Sequence, residues 1–176
     1  MEPGTAMKTY VEARFGSDDA LGIMMEAAEG VRYPIDVADT MYMQLGDAMP
    51  DMNSVFPDGT SATVCTNYAM HVLRDLGDRV KIFGFPNERN RNCRVVRDQL
   101  HPGGHDFALV DERYIVDPWI RLVACACQQI CFDLEDEADR AAAADWYGSR
   151  KCWTRMSRAE ECAKQSQDTL AVVAQP

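Results

Sequence analysis

A thiol, an imidazole and a carboxylate occur in the order Cys65, His105, Asp117. Together they are sufficient for nucleophilic attack on a carbonyl. That chemistry needs a cysteine whose thiolate is stabilised, a histidine that takes up and returns its proton, and an acceptor that fixes the imidazole tautomer. Cys65 stands at the predicted start of a helix, where unpaired N–H groups and the helix dipole favour negative charge. Cys93 is the rival nucleophile, because the neighbouring Arg94 also favours a thiolate, but it falls in loop sequence with no helix start beneath it. Cys125, Cys127 and Cys131 form C-x-C-x3-C without a histidine or second cysteine pair at zinc-ligand spacing. Set among Leu122, Val123, Ala124, Ala126 and Ile130, they read as buried helix packing. No metal and no cofactor is expected.

Two elements must bring the three groups together. Cys65, Tyr68, Ala69, Val72, Leu73 and Leu76 recur at i, i+3, i+4, i+7, i+8 and i+11, one helical stripe, and Gly77 stands where a glycine would stop it. Phe56-Pro57-Asp58-Gly59-Thr60-Ser61 is the turn leading in, with Ser61 or Thr63 as cap. Val80-Lys81-Ile82-Phe83-Gly84-Phe85 reads as a strand, and the Arg-rich residues 87–104 as mostly loop. His105–Val110 and Tyr114–Trp119 flank Asp111-Glu112-Arg113, a hairpin signal. A turn centred on Glu112 pairs Val110 with Tyr114, opposes Phe107 to Asp117, and opposes His105 to Trp119. Residues 105, 107 and 117 then share one face, so His105 and Asp117 are diagonal neighbours. The carboxylate accepts from one imidazole nitrogen while the other faces the thiol, provided the hairpin packs on the helix start.

Cys65-Thr66-Asn67-Tyr68-Ala69 is a C-x-N-x-A helix start. It is followed by Val72-Leu73, Leu76-Gly77, the strand at 80–85, His105-Asp106-Phe107-Ala108-Leu109-Val110 and Tyr114-Ile115-Val116-Asp117-Pro118. This series resembles the bacterial protein-glutaminases and papain-fold glutamine-deamidating toxins of the transglutaminase-like superfamily, over residues 61–120. The resemblance implies an α+β, papain-like fold in which a central helix packs on a small antiparallel sheet, flanked by N- and C-terminal helices. It also implies a Cys-His-Asp triad that hydrolyses the side-chain amide of a glutamine in a target protein through a thioester. A papain-like peptidase or a transglutaminase would use the same triad on another carbonyl or with an amine in place of water. For the oxyanion, the Cys65 N–H is joined by Asn53 and Gln44 as side-chain candidates. His101 and Trp119 are candidates for the mouth or wall of the cleft, and Arg89, Arg91, Arg94 and Arg97 for docking an acidic protein partner. A non-catalytic scaffold that binds through this Arg-rich loop is the reading of another class. His71 lies on a different helical face from Cys65 and reads as structural.

The chain of 176 residues is long enough for one domain with a real core. Residues 1–60 read as a helical N-terminal segment, with Ala20, Leu21, Met24, Met25 and Ala28, and then Val37, Met41 and Leu45, at helical spacing. Residues 61–120 form the core, and 121–176 read as C-terminal helices over 121–132, 135–148 and 155–168. A net charge of −10 has the wrong sign for neutralising phosphates, so nucleic acid is not an expected partner. The charge is uneven, because residues 1–60 carry 11 acids against 3 bases while 61–100 carry 4 acids and 7 bases. Seven scattered cysteines in an ordinary domain favour reduced thiols and a cytosolic place of action. The N-terminus lacks the pattern of a cleavable leader and no stretch reaches membrane-spanning length. A small acidic chain of this kind suits a bacterial toxin or an effector injected into a target cell.

Overall fold

The computed structural model describes residues 3–16, 33–34, 60–61, 65–101 and 103–156. The helical repeats expected around Leu21 and Met41, the cap before Cys65, and all but the start of the helix expected over 155–168 lie outside the described residues. Among the described residues the fold is mixed α and β, a five-stranded antiparallel sheet with helices packed on it.

Helix α1 (Pro3–Phe15) opens on proline, whose fixed φ suits a first helical turn. It buries Met7, Val11 and Phe15, one residue per turn along one face. Helix α2 (Cys65–Leu76) follows the predicted stripe and stops at Gly77, whose φ of +59° costs a glycine nothing. The burial exceeds the stripe, because every residue from Cys65 to Leu73 is buried. Part of the second face is covered by α1: Phe15 meets the His71 ring edge-on at 5.2 Å, and Arg14 donates to His71 Nε2 at 3.2 Å and to Asp75 at 3.1 Å. His71 is therefore held as a structural acceptor between two helices.

Two short strands, β1 (Tyr33–Pro34) and β2 (Thr60–Ser61), pair with each other. The main sheet comprises β3 (Val80–Pro86), β4 (Gly104–Val110), β5 (Tyr114–Val116), β6 (Cys131–Asp133) and β7 (Thr154–Arg155), in the order β6-β5-β4-β3-β7. The β4–β5 register is the predicted one, with Val110 opposite Tyr114. Asp111 and Glu112 adopt φ of +51° and +57°, the left-handed turn that follows strand twist, and Arg79 holds the Asp111 carboxylate. Helix α2 lies across β3 and β4. Residues 87–104 are more structured than a loop: Cys93 opens a short helix, α3 (Arg94–Arg97), whose Val95 is fully buried.

The C-terminal third departs from the expected three helices. Only one turn, α4 (Trp119–Leu122), forms before Cys125 reverses the chain at φ +50°. Residues 131–133 then form a strand, not the end of a helix, with Ile115 opposite Phe132. The reason is non-local: β5 has a free edge whose N–H and C=O groups need partners, and Arg113 secures the added strand by donating twice to Asp133, at 2.7 and 2.6 Å. Helix α5 (Glu137–Tyr147) forms within the predicted 135–148, capped by Asp136, which accepts from the Asp139 N–H at 2.9 Å. The chain is again extended at β7, where a helix was expected to begin. Among the described residues, no helix is long and apolar enough to cross a membrane.

Phe132 is fully buried and Cys125 exposed, so the corrected strand assignment separates two substitutions that a common helix would not. Phe132→Ala is expected to lower unfolding free energy by about 3–5 kcal/mol in urea titrations, and Cys125→Ser to change it by no more than about 0.5 kcal/mol.

Candidate active site

His105 is the second residue of β4, and Asp117 stands just beyond the end of β5. The ladder stops there because Asp117 gives its N–H to the Ile130 carbonyl at 2.9 Å and is followed by Pro118, which has no N–H to give. Trp119 consequently begins α4 and does not pair opposite His105 as the sequence predicts. It folds back so that its ring lies 5.0 Å from the imidazole. Within this corner His105 Nε2 donates to Asp117 Oδ2 at 2.7 Å, with both side chains sealed from solvent.

Cys65 is the first residue of α2, and its Sγ accepts the Asp106 N–H at 3.3 Å. The neighbouring Thr66 hydroxyl donates to the Asp106 carboxylate. Successive residues of the helix start thus clasp the residue after His105, which docks β4 on α2. The second imidazole nitrogen, Nδ1, is buried and makes no standard hydrogen bond among the described residues, and the Cys65 thiol favours the protonated ring. Burial alone would drive the proton off His105. The charge and hydrogen bond of Asp117, helped by Cys65, reverse this and hold the imidazole's proton well above its ordinary value of 6.5.

One residue of this site had no sequence signal. Tyr147, at the last position of α5, donates its hydroxyl to Asp117 Oδ2 at 3.0 Å and stacks on the His105 ring at 5.9 Å with planes 17° apart. With Phe107 and Trp119 it forms an aromatic wall that keeps water from the charged pair. Helical periodicity marks Ala143, Trp146 and Tyr147 as a buried face, but nothing in it points to Asp117.

The remaining candidates are dispersed. Asn53 and Gln44 lie outside the described residues. His101 is buried, its ring nitrogens make no standard hydrogen bond among the described residues, and it meets Trp119 edge-on at 5.5 Å. Burial, reinforced by the charge of His105, pushes its imidazole down to about 4. Arg89 donates to Thr154 Oγ1 at 3.0 Å, Arg94 to Asp98 at 3.0 Å, and Arg97 to Asp145 at 2.8 Å, while Arg91 is exposed. Arg94 also lies 4.2 Å over the Trp146 ring. Burial pushes the Cys93 thiol up, the opposite of what a nucleophile requires. Cys125 and Cys127 lie in loop and Cys131 in a strand, not in one helix; burial raises the Cys127 thiol and pushes Cys131 up to about 12. Among the described residues no three His, Cys, Asp or Glu side chains are placed to share a metal ion.

Compared with known proteins, the chain matches no family model, no curated protein and no solved structure.

The two buried histidines have opposite consequences for stability. His105 binds its proton more tightly folded than unfolded, so its contribution is fully present below pH 6.5 and lost as pH rises through the raised folded value. His101 resists protonation in the fold, so stability falls as pH drops from 6.5 to about 4. Urea titrations across this window are expected to show the wild type losing about 3 kcal/mol that His101→Phe retains; parallel curves would contradict neutral burial of His101.

Proposed function

We propose that the chain is a cysteine hydrolase of papain-like, transglutaminase-like type, most specifically a protein-glutamine deamidase. The observation that carries this reading is the sealed 2.7 Å hydrogen bond from His105 to Asp117 beside a helix-start cysteine whose Sγ accepts a backbone N–H. A cysteine, histidine and aspartate left over from core packing have no need of that order of contacts.

Cys65 Sγ attacks the carboxamide carbon of a glutamine side chain, its proton having passed to His105 Nδ1. Negative charge gathers on the carboxamide oxygen, and the Cys65 N–H, at a helical position that has no intrahelical acceptor, donates to it. His105 returns the proton to the amide nitrogen, the C–N bond breaks, ammonia leaves, and a thioester remains on Cys65. Water then gives a proton to His105 and attacks the thioester carbon. The C–S bond breaks, and the product is glutamate with the thiol restored. Throughout, Asp117 holds the Nε2–H and so keeps Nδ1 turned to the reaction.

Cys65 is 3% exposed, the burial that the scaffold reading also expects, so among the hydrolase readings it is access that discriminates. A carboxamide at the tip of a slender side chain reaches such a sulfur more readily than a main-chain carbonyl flanked by two residues, which favours deamidation over peptide cleavage. The substrate is a protein of a target cell, consistent with a toxin or injected effector that acts in a reducing cytosol.

Incubation of the protein and of Cys65→Ser with eukaryotic and bacterial lysates tests the reading, with ammonia release and amide-to-acid mass changes followed by peptide mass spectrometry. The expected result is conversion of glutamine by the wild type alone. Backbone cleavage or isopeptide formation by the wild type alone would move the reading to peptidase or transglutaminase, and identical digests from both proteins would favour the binding scaffold.

A further inference from the structure

Asp117 Oδ2 receives two hydrogen bonds, one from His105 Nε2 at 2.7 Å and one from the Tyr147 hydroxyl at 3.0 Å. An oxygen that accepts from both neighbours is not the oxygen that carries a proton. Tyr147 acts only as a donor here, because its burial beside the Asp117 charge pushes its own ionisation well above 10. The two donors compete for one acceptor, so the strength of either bond depends on the other.

Tyr147 is also fixed more firmly than the end of a helix requires. Its carbonyl accepts from Asn90 Nδ2 at 2.8 Å and from Trp153 Nε1 at 2.7 Å. The next residue, Gly148, turns the chain at φ +69°, and a Cβ there would collide with the Asn90 carboxamide. Groups from the β3–β4 connection and from the segment before β7 thus converge on one backbone position at the end of α5. The phenol is thereby held between the imidazole face and the carboxylate.

We infer that Tyr147 is a positioning residue of the hydrolase proposed above, and that its hydroxyl, by sharing Asp117 Oδ2 with His105, sets how tightly the imidazole keeps its proton. A catalyst that must both accept and return a proton fails if the carboxylate holds the imidazolium too strongly. Tyr147 takes up part of the carboxylate's charge and moderates that hold, while it prevents rotation of Asp117 away from Nε2. The C-terminal third of the chain, outside the stretch that carries the sequence resemblance, then acts on the reaction through Asp117. Among the described residues, the other titratable groups that face His105, Asp117 and Tyr147 are Cys65 from α2, His101 and Cys93 from the β3–β4 connection, and Cys127 and Cys131 from the loop before β6 and from β6 itself. Among the described residues the side-chain hydrogen bonds to Asp117 Oδ2 come from His105 and Tyr147, so a change at Tyr147 reads the shared oxygen.

Tyr147→Phe keeps the ring and removes only the shared donor. The test is the titration of His105 followed by imidazole nitrogen NMR, alongside the pH profile of deamidation. The inference predicts that the loss of the His105 proton moves upward by about one pH unit, the equivalent of a hydrogen bond to a charged group. It predicts that kcat falls about tenfold or more with KM little changed. A fluorinated tyrosine at position 147, whose more acidic phenol donates more strongly, moves the titration downward and guards against a folding defect in the phenylalanine variant. An unmoved titration in both variants would overturn the inference and reduce Tyr147 to packing. A shifted titration in a protein that deamidates nothing would support the coupling and refute the deamidase reading alone.

Discussion

A charged pair removed from water costs several kcal/mol per ion unless each partner is held by the other and by further hydrogen bonds. His105 and Asp117 meet that condition at a corner where three parts of the chain coincide. Strand β4 brings the imidazole, the end of β5 brings the carboxylate, and the last residue of α5 brings the phenol that completes Asp117 Oδ2. The aromatic rings of Phe107, Trp119 and Tyr147 keep the local dielectric low, which strengthens the pair and makes its misplacement costly. Much of the surrounding structure follows from that constraint. Asp117 is tethered through its N–H to Ile130, and Pro118 ends the ladder at the residue where the corner must form.

The Cys65 thiol is brought to this corner by a second, weaker constraint. Cys65 and Thr66 both contact Asp106, so the helix start and the strand are registered through one residue rather than through the reacting groups themselves. This leaves the second imidazole nitrogen uncommitted. Helix α1 buttresses α2 from another side through Arg14, which satisfies His71 and Asp75 together. His71, though only six positions from Cys65, is thereby committed to structure, and His101 is kept neutral by burial. His105, the histidine that holds its proton in the field of Asp117, is the one whose strand meets the helix-start thiol.

The parts of this arrangement that are local in sequence were legible there. The Val110–Tyr114 register follows from a short polar turn between two apolar runs, and the alternation of side chains then puts residues 105 and 117 on one face. The α2 stripe and its glycine stop are equally local. What escaped depends on partners far along the chain. Residues 131–133 are buried on both sides and show no alternation, so nothing marks them as a strand until β5 presents an unpaired edge. Cys131 and Phe132 read as the end of a helix over 121–132 because the apolar run before them, Leu122, Val123, Ala124, Ala126 and Ile130, fits either pattern. Tyr147 ends an alanine-rich helix whose periodicity reveals a buried face but not what it is buried against. Its contact with Asp117 spans 30 residues and depends on how α5 crosses the sheet.

The central claim is that Cys65 and His105 work as one chemical unit. It is tested most directly by the rate at which Cys65 is alkylated in the native protein, followed against pH by peptide mass spectrometry, with Cys93 and Cys131 as internal references. A coupled pair predicts labelling of Cys65 below neutral pH at least about tenfold faster than the two buried reference thiols, slowed about tenfold when His105 is replaced by alanine. Labelling of Cys65 no faster than that of Cys93 across the whole range, and unaltered by loss of His105, would contradict it.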